Sequence, residues 1–203
     1  MATTKVDIGL IDTTGTASSS TFLRGDGAWQ AAGGDWTFVS STTASTSSEI
    51  AFTNMATAFD YLYVLMDIST SSDTTFVESE LGVSGPTYRT SNYLTTNTQV
   101  NNSGSSGATE YTDAITINRN APIGTASNES IRLWSLWLCD PANSGVETVY
   151  YGTGGYTENN GTNAIGQTSG KYTTAEAQVA IRFFPSSGTI DDGIIQQFRR
   201  QRS

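Results

Sequence analysis

The chain lacks histidine altogether and has one cysteine, Cys139, among 203 residues. Histidine is the commonest metal ligand and the usual general base near neutral pH, so Ser-His-Asp and Cys-His arrangements cannot form. A single cysteine cannot make a disulfide within the chain. We therefore expect no bound metal, no cofactor and no enzymatic activity.

Positive charge and long apolar runs are also scarce. Ten Lys and Arg stand against nineteen Asp and Glu, and the resulting formal charge of -9 would repel a phosphate backbone. No run approaches the ~18 apolar residues that span a bilayer, and the N-terminus lacks the pattern of a signal peptide. These features predict no nucleic-acid partner, no membrane insertion, and synthesis in a cytoplasm without secretion.

Ser, Thr and Asn dominate the polar residues instead, beside 20 Gly, and only 14% of the chain is charged. From Asp35 onward, apolar residues alternate or form short runs between turn-forming clusters, without a 3.6-residue stripe. The pattern predicts strands near residues 36–40, 49–53, 61–68, 75–83, 114–118, 131–139, 147–151, 177–184 and 193–198. For residues 35–203 we therefore predict an all-β, jelly-roll-like antiparallel β-sandwich.

Two polar, Gly-rich stretches fall between these predicted strands: Asn97–Ala108 and Gly152–Gly170. Glycine and amide residues favour turns over strands. We predict that both stretches are loops at the tips of the sandwich, where sequence can vary most freely.

Residues 1–34 differ from the rest, because turn formers such as Gly25-Asp26-Gly27 separate very short apolar patches. Such a segment cannot build its own core, yet it carries too many large apolar groups for a solvated tail. We predict that it is an extended docking arm. Its apolar anchors are Val6, Ile8, Leu10, Phe22, Leu23 and Trp29.

Two of the predicted strands, Tyr61–Ile68 and Ile131–Leu138, carry apolar side chains on both faces. One face of each suits the core of the sandwich. The other needs cover, either from another subunit or from the arm and loops of the same chain. In the first case, the predicted subunit interface consists of Tyr61, Tyr63, Leu65, Trp134 and Leu136.

The segment Thr14–Trp29, TGTASSSTFLRGDGAW, carries a more specific signal. It resembles a segment of bacteriophage appendage proteins (tail fibres, head fibres and decoration proteins of tailed phages), where FLRGDGxW follows small residues and precedes a C-terminal β domain. Residues 131–195 are similar to the closing strands of such domains, most clearly at Ala180–Phe184 and Ser187–Ile190.

This resemblance implies a structural component of a virion: a short fibre or decoration protein that docks through its N-terminal arm. It also implies a homotrimer, bound to other virion proteins of the capsid, the tail or another fibre. The chain departs from long tail fibres in having no repetitive shaft before the β domain, which favours a short appendage.

The residues leave two alternative functions open. Aromatic rings and amides of Tyr151, Tyr156, Asn159 and Asn160 suit a glycan-binding, receptor-recognition module used in host attachment, although the same residue types also make turns and sandwich surfaces. A polysaccharide depolymerase would need two carboxylates that flank a glycosidic bond. Glu78 and Glu80 would share one face of a strand, but so do the acids of any solvated strand.

Overall fold

Strands and turns make up the fold, and the residues that the structure describes contain no helix. The computed structural model describes residues 21–23, 29–31, 36–102, 104, 106–126 and 128–202. The strands are β1 Thr21–Leu23, β2 Trp29–Ala31, β3 Thr37–Thr43, β4 Ile50–Phe52, β5 Phe59–Thr70, β6 Val77–Val83, β7 Thr87–Tyr88, β8 Tyr93–Asn101, β9 Ser106–Tyr111, β10 Ile115–Thr116, β11 Ile131–Cys139, β12 Thr148–Thr157, β13 Asn163–Tyr172, β14 Ala180–Pro185 and β15 Ile190–Gln201.

The chain divides into two compact units, Met1–Thr37 and Phe38–Ser203. In the first, β1 and β2 pair as an antiparallel hairpin, with Phe22 opposite Gln30. Three predicted anchors belong to this hairpin, and the other three lie outside the described residues. Docking through the arm stays a prediction.

The second unit consists of two antiparallel sheets packed as a sandwich. One sheet has eight strands in the order β3-β15-β5-β11-β12-β13-β8-β9. The other has five, in the order β10-β6-β14-β4 with β7 added beside β6. The prediction of an all-β antiparallel sandwich is confirmed.

Successive strands repeatedly lie in opposite sheets. From β4 in the five-stranded sheet the chain crosses to β5, returns to β6, and reaches the eight-stranded sheet again at β8. It later passes from β10 to β11, and from β13 through β14 to β15. This alternation wraps the chain around a single core, and β11, β12 and β13 form a meander inside the larger sheet.

The core lies between the two sheets and is rich in aromatic rings. Phe52 and Phe183 come from the five-stranded sheet, and both rings pack on Tyr63 of β5 with centroids 5.4 Å apart. Tyr63 and Phe183 have no exposed surface. Full burial of such a side chain stabilises the fold by about 1.5–3 kcal/mol, so this contact joins the sheets firmly.

The predicted subunit-interface residues belong to this core. Tyr61, Tyr63, Leu65, Trp134 and Leu136 are all 0% exposed within a single chain. The prediction chose the wrong face of β5 and β11, because these side chains point toward the five-stranded sheet and are covered by it. The opposite face of the same strands is the one left open.

The two stretches predicted as loops are strands. Residues 97–108 lie largely in β8 and β9, and residues 152–170 in β12 and β13. Polar side chains are paired inside: the Nδ2 group of Asn97 donates to the backbone oxygen of Ile117 over 3.0 Å. The glycines also have a packing role, since the Trp134 ring lies within about 3 Å of where a Cβ on Gly166 would stand.

Candidate interaction surface

The eight-stranded sheet directs alternate side chains away from the core, and we call this surface the outer face. Nine large hydrophobic side chains are exposed among the described residues, and all but Val146 lie on this face. They are Phe38, Leu94, Val100, Leu133, Val149, Tyr151, Ile165 and Ile194. Exposed hydrophobic side chains that cluster on one face of a sheet mark an interaction site, whereas singly scattered ones do not.

An aliphatic row crosses six strands of the outer face at one level. Register pairs place Ile194 beside Met66, Met66 beside Leu133, and Ile165 beside Val100. Between Leu133 and Ile165, the row passes over Gly155 of β12. Ile165 is 66% exposed. The row is therefore interrupted at Gly155, and its side chains are exposed in the single chain apart from the half-buried Met66.

An aromatic row runs parallel to it, about four residues along each strand. Phe38 contacts Phe198 edge to face, with ring centroids 5.6 Å apart. Phe198 is opposite Leu62, which is in turn opposite Trp137. Trp137 lies beside Tyr151 with centroids 5.7 Å apart and an interplanar angle of 31°. The two rows frame the centre of the outer face.

The positions between the two rows are uncharged. From β15 to β8 they are occupied by Gln196, Val64, Ser135, Thr153, Gln167 and Thr98, which follow one another in register. Within the six strands from β15 to β8, the two rows and this middle row contain no charged residue. Burying this area would not require any ion to lose its water, which is the largest cost of burying a polar surface.

Charged side chains near the ends of these strands are paired within the chain. Asp60, with 9% of its side chain exposed, accepts from Arg200 at 2.8 Å and from Arg202 at 3.1 Å. Lys171 and Glu147 pair at 2.6 Å. Arg200 and Arg202 are thus paired within their own chain.

Beside Asp60, the exposed Cys139 ends β11. Burial and the neighbouring Asp60 carboxylate raise the pKa of its thiol. The nearby cleft of about 420 Å³ has Asp140 and Arg202 in its wall, 4.0 Å apart. A thiol with a raised pKa is a poor nucleophile, so this corner does not resemble a cysteine active site.

The residues predicted to bind glycan are not brought together. Tyr151 is exposed on the outer face, whereas Tyr156, five residues along the same strand, is 2% exposed and packs on Trp134 inside the sandwich. Asn160 lies in a tight turn, where its side-chain oxygen accepts from the backbone N–H of Thr162. As a four-residue set the prediction is wrong, because odd and even positions of β12 face opposite ways.

A different face carries the acid pair that a depolymerase would need. Glu78 and Glu80 point outward from β6, and each is held by an arginine: Arg119 at 2.7 Å and Arg182 at 2.6 Å. Burial raises the pKa of both carboxyls, against the lowering effect of the arginines. Arg182 is also enclosed by the rings of Tyr88 and Phe184. The arrangement is a closed ion-pair network, with neither carboxylate free to meet a substrate.

Among the described residues, no group of three or more Cys, Asp or Glu side chains could hold a metal ion. Nor does that part of the chain contain a helix long and apolar enough to cross a membrane. Comparison with known protein families, with curated proteins and with solved structures finds no match. The outer face is therefore the strongest functional feature of the fold.

Proposed function

We propose that this protein is a structural component of a bacteriophage virion, a short fibre or decoration protein that acts by assembly and has no enzymatic activity. The outer face carries this proposal, because a soluble monomer rarely exposes an apolar surface across six adjacent strands. The resemblance of Thr14–Trp29 to phage appendage proteins supplies the kind of assembly. The arm would attach three copies to capsid, tail or another fibre.

The acid pair on β6 argues for assembly rather than catalysis. A glycosidase needs one carboxyl that donates a proton and another that stays accessible to the sugar or to water. Instead, Glu78 accepts a hydrogen bond from Arg119, and Glu80 accepts one from Arg182. Both carboxylates on this face are therefore already engaged in ion pairs within the chain.

The direct experiment is to locate the chain on purified phage particles with an antibody against residues 38–203. We expect labelling of intact particles, and reduced occupancy for Trp29→Ala, which removes the largest anchor of the arm. Val146→Lys, in the exposed turn between β11 and β12, should be incorporated normally. Particles that contain none of the chain would refute the proposal.

Carbohydrate binding is the second candidate, favoured by the ring pair on the outer face, where Tyr151 is exposed and Trp137 is half-buried. Two neighbouring rings on a flat sheet can stack on a sugar, while Gln167 and Ser169 offer hydrogen bonds nearby. A glycan array probed with the full chain would test it. Binding should be lost in Tyr151→Ala and kept in Phe38→Ala, since Phe38 is exposed on the same face but lies four strands from Tyr151.

A further inference from the structure

We propose that the outer face is where copies of this chain contact one another. This inference rests on the proposed assembly function and names both the surface and the partner. The residues first predicted for the interface, such as Tyr63 and Trp134, are buried in the core. The contact we infer uses exposed side chains that a neighbouring copy can reach. Leu133 and Ile165 are the central ones, at 52% and 66% exposure.

The size of the outer face fits a subunit contact. Eight strands at about 4.8 Å spacing span about 34 Å, and the six residue-to-residue steps from Leu94 to Val100 extend about 20 Å along a strand. The product is on the order of 700 Å², close to the roughly 800 Å² per partner of a standard stable interface.

The charge pattern selects a second copy as the occupant. Each chain has a formal charge of -9, so two copies repel unless they meet through a surface that carries no charge of its own. The three rows of the outer face offer such a surface, since none of their positions in the six strands holds a charged residue. At the ends of this surface, Lys171 is paired with Glu147 and Asp60 with Arg200. These charged side chains therefore need no ion-pair partner from another chain.

An oppositely charged partner would find little to recognise here. Electrostatic complementarity gives specificity and fast association, and it requires unpaired charge on at least one surface. A copy of the same face presents the matching pattern instead: aliphatic row, hydroxyl and amide row, aromatic row. Contact between copies buries Ile165, Leu133 and Tyr151 without burying an unpaired charged side chain.

The test is sedimentation velocity of the full chain over a wide range of concentrations, with three variants that add the same charge. Ile165→Lys and Leu133→Lys place a cation in the aliphatic row. Val146→Lys is the matched control, because Val146 is the exposed large hydrophobic side chain that lies off the outer face. All three side chains are exposed, so each variant should keep the melting temperature of a folded single chain.

We expect the wild type and Val146→Lys to form a stable oligomer. Two faces that meet about a two-fold axis give twice the chain mass of 21.6 kDa, and three that meet about a three-fold axis give three times it. Ile165→Lys and Leu133→Lys should weaken association about tenfold or more, because a lysine would be buried without a partner. A wild type that stays monomeric would overturn the inference. So would oligomers of Ile165→Lys as stable as the wild type.

Two other occupants would show themselves in the same experiments. A monomeric wild type whose melting temperature falls in Ile165→Lys would mean that its own chain covers the face. A monomer that binds glycan through Tyr151 would mean that sugar is the ligand. Either result overturns contact between copies. Absence of the chain from phage particles, with oligomers intact, would instead refute the proposed location alone.

Discussion

Gly154 lies directly beneath the backbone and ring of Trp134, its partner in the register between β12 and β11. A Cβ built on Gly154 would stand 2.7 Å from the Cα atom and 2.8 Å from the Cε3 atom of Trp134. It would also overlap the carbonyl oxygen of Leu133. The glycine therefore makes room for the largest buried side chain of the core.

Gly154→Ala should destabilise the protein by about 1–3 kcal/mol, the usual cost of overpacking a core. Gly155→Ala is the matched control, since its Cβ would meet only the carbonyl oxygen of Ala164, 3.8 Å away. It should be neutral or slightly stabilising. Urea denaturation followed by tryptophan fluorescence measures both. Equal loss of stability in the two variants would contradict the packing role assigned to Gly154.

Tyr63→Phe should cost about 1–3 kcal/mol, because it leaves a buried amide without its partner. Gln197 donates from Nε2 to the Tyr63 hydroxyl over 2.9 Å and is itself fully buried. Tyr151→Phe removes the same hydroxyl from an exposed ring and should change the free energy of unfolding very little. Similar values for the two variants would show that the internal hydrogen bond adds nothing.

Alternation in the sequence located β5 and β11 correctly but could not say which of their faces turns inward. A period of two is symmetric, and in both strands each face is apolar. The choice depends on the strands that pack across from them: Phe52 of β4 and Phe183 of β14 cover Tyr63. Phe183 is 120 positions from Tyr63 in the sequence, and a local pattern does not contain a contact of that range.

Glu176→Gln should lower stability at neutral pH by about 1–2 kcal/mol. Arg89 donates twice to this carboxylate, at 2.8 and 2.7 Å, and the Tyr172 hydroxyl and the Gln178 amide donate as well. These bonds, led by Arg89, hold the pKa of Glu176 below its usual range. The wild type should lose this stability as pH falls below about 4.3 and through the lowered pKa. Glu176→Gln should lack that acid-side loss in melting curves.

Glu78→Gln is predicted to behave in the opposite way. Burial raises the pKa of Glu78, so its charged form is unfavourable in the fold despite Arg119. Wild-type stability should therefore rise as pH falls from neutral through the raised pKa, and the variant should lack this gain. At neutral pH the variant should be as stable as the wild type or more so, since Arg119 keeps Asp113 at 3.1 Å. A loss above about 1 kcal/mol at neutral pH would contradict this.

The conformational preferences of single residues could not predict the polar half of the eight-stranded sheet. β8 and β13 consist largely of Thr, Asn, Gln, Ser and Gly, which favour turns when they are isolated. In the fold, Asn97 and Thr168 face each other in register within the sandwich, while Val100 and Ile165 appear on the outer face. Taking the stretch as a loop therefore hid half of the aliphatic row. The alternation of Leu94, Thr96, Thr98 and Val100 was the available signal.

The positions of the last two strands determine when this protein can complete its fold. β14 lies between β4 and β6, and β15 lies between β3 and β5, so both sheets are completed from within by residues 180–201. When β3 to β13 have emerged from the ribosome, β14 is not yet available to pair with β4 and β6. The facing edges of β4 and β6 stay unpaired and open to other chains until β14 is synthesised, and those of β3 and β5 until β15 is synthesised. The protein should accordingly fold after translation, and stop codons within residues 180–201 should yield insoluble product rather than a smaller sandwich.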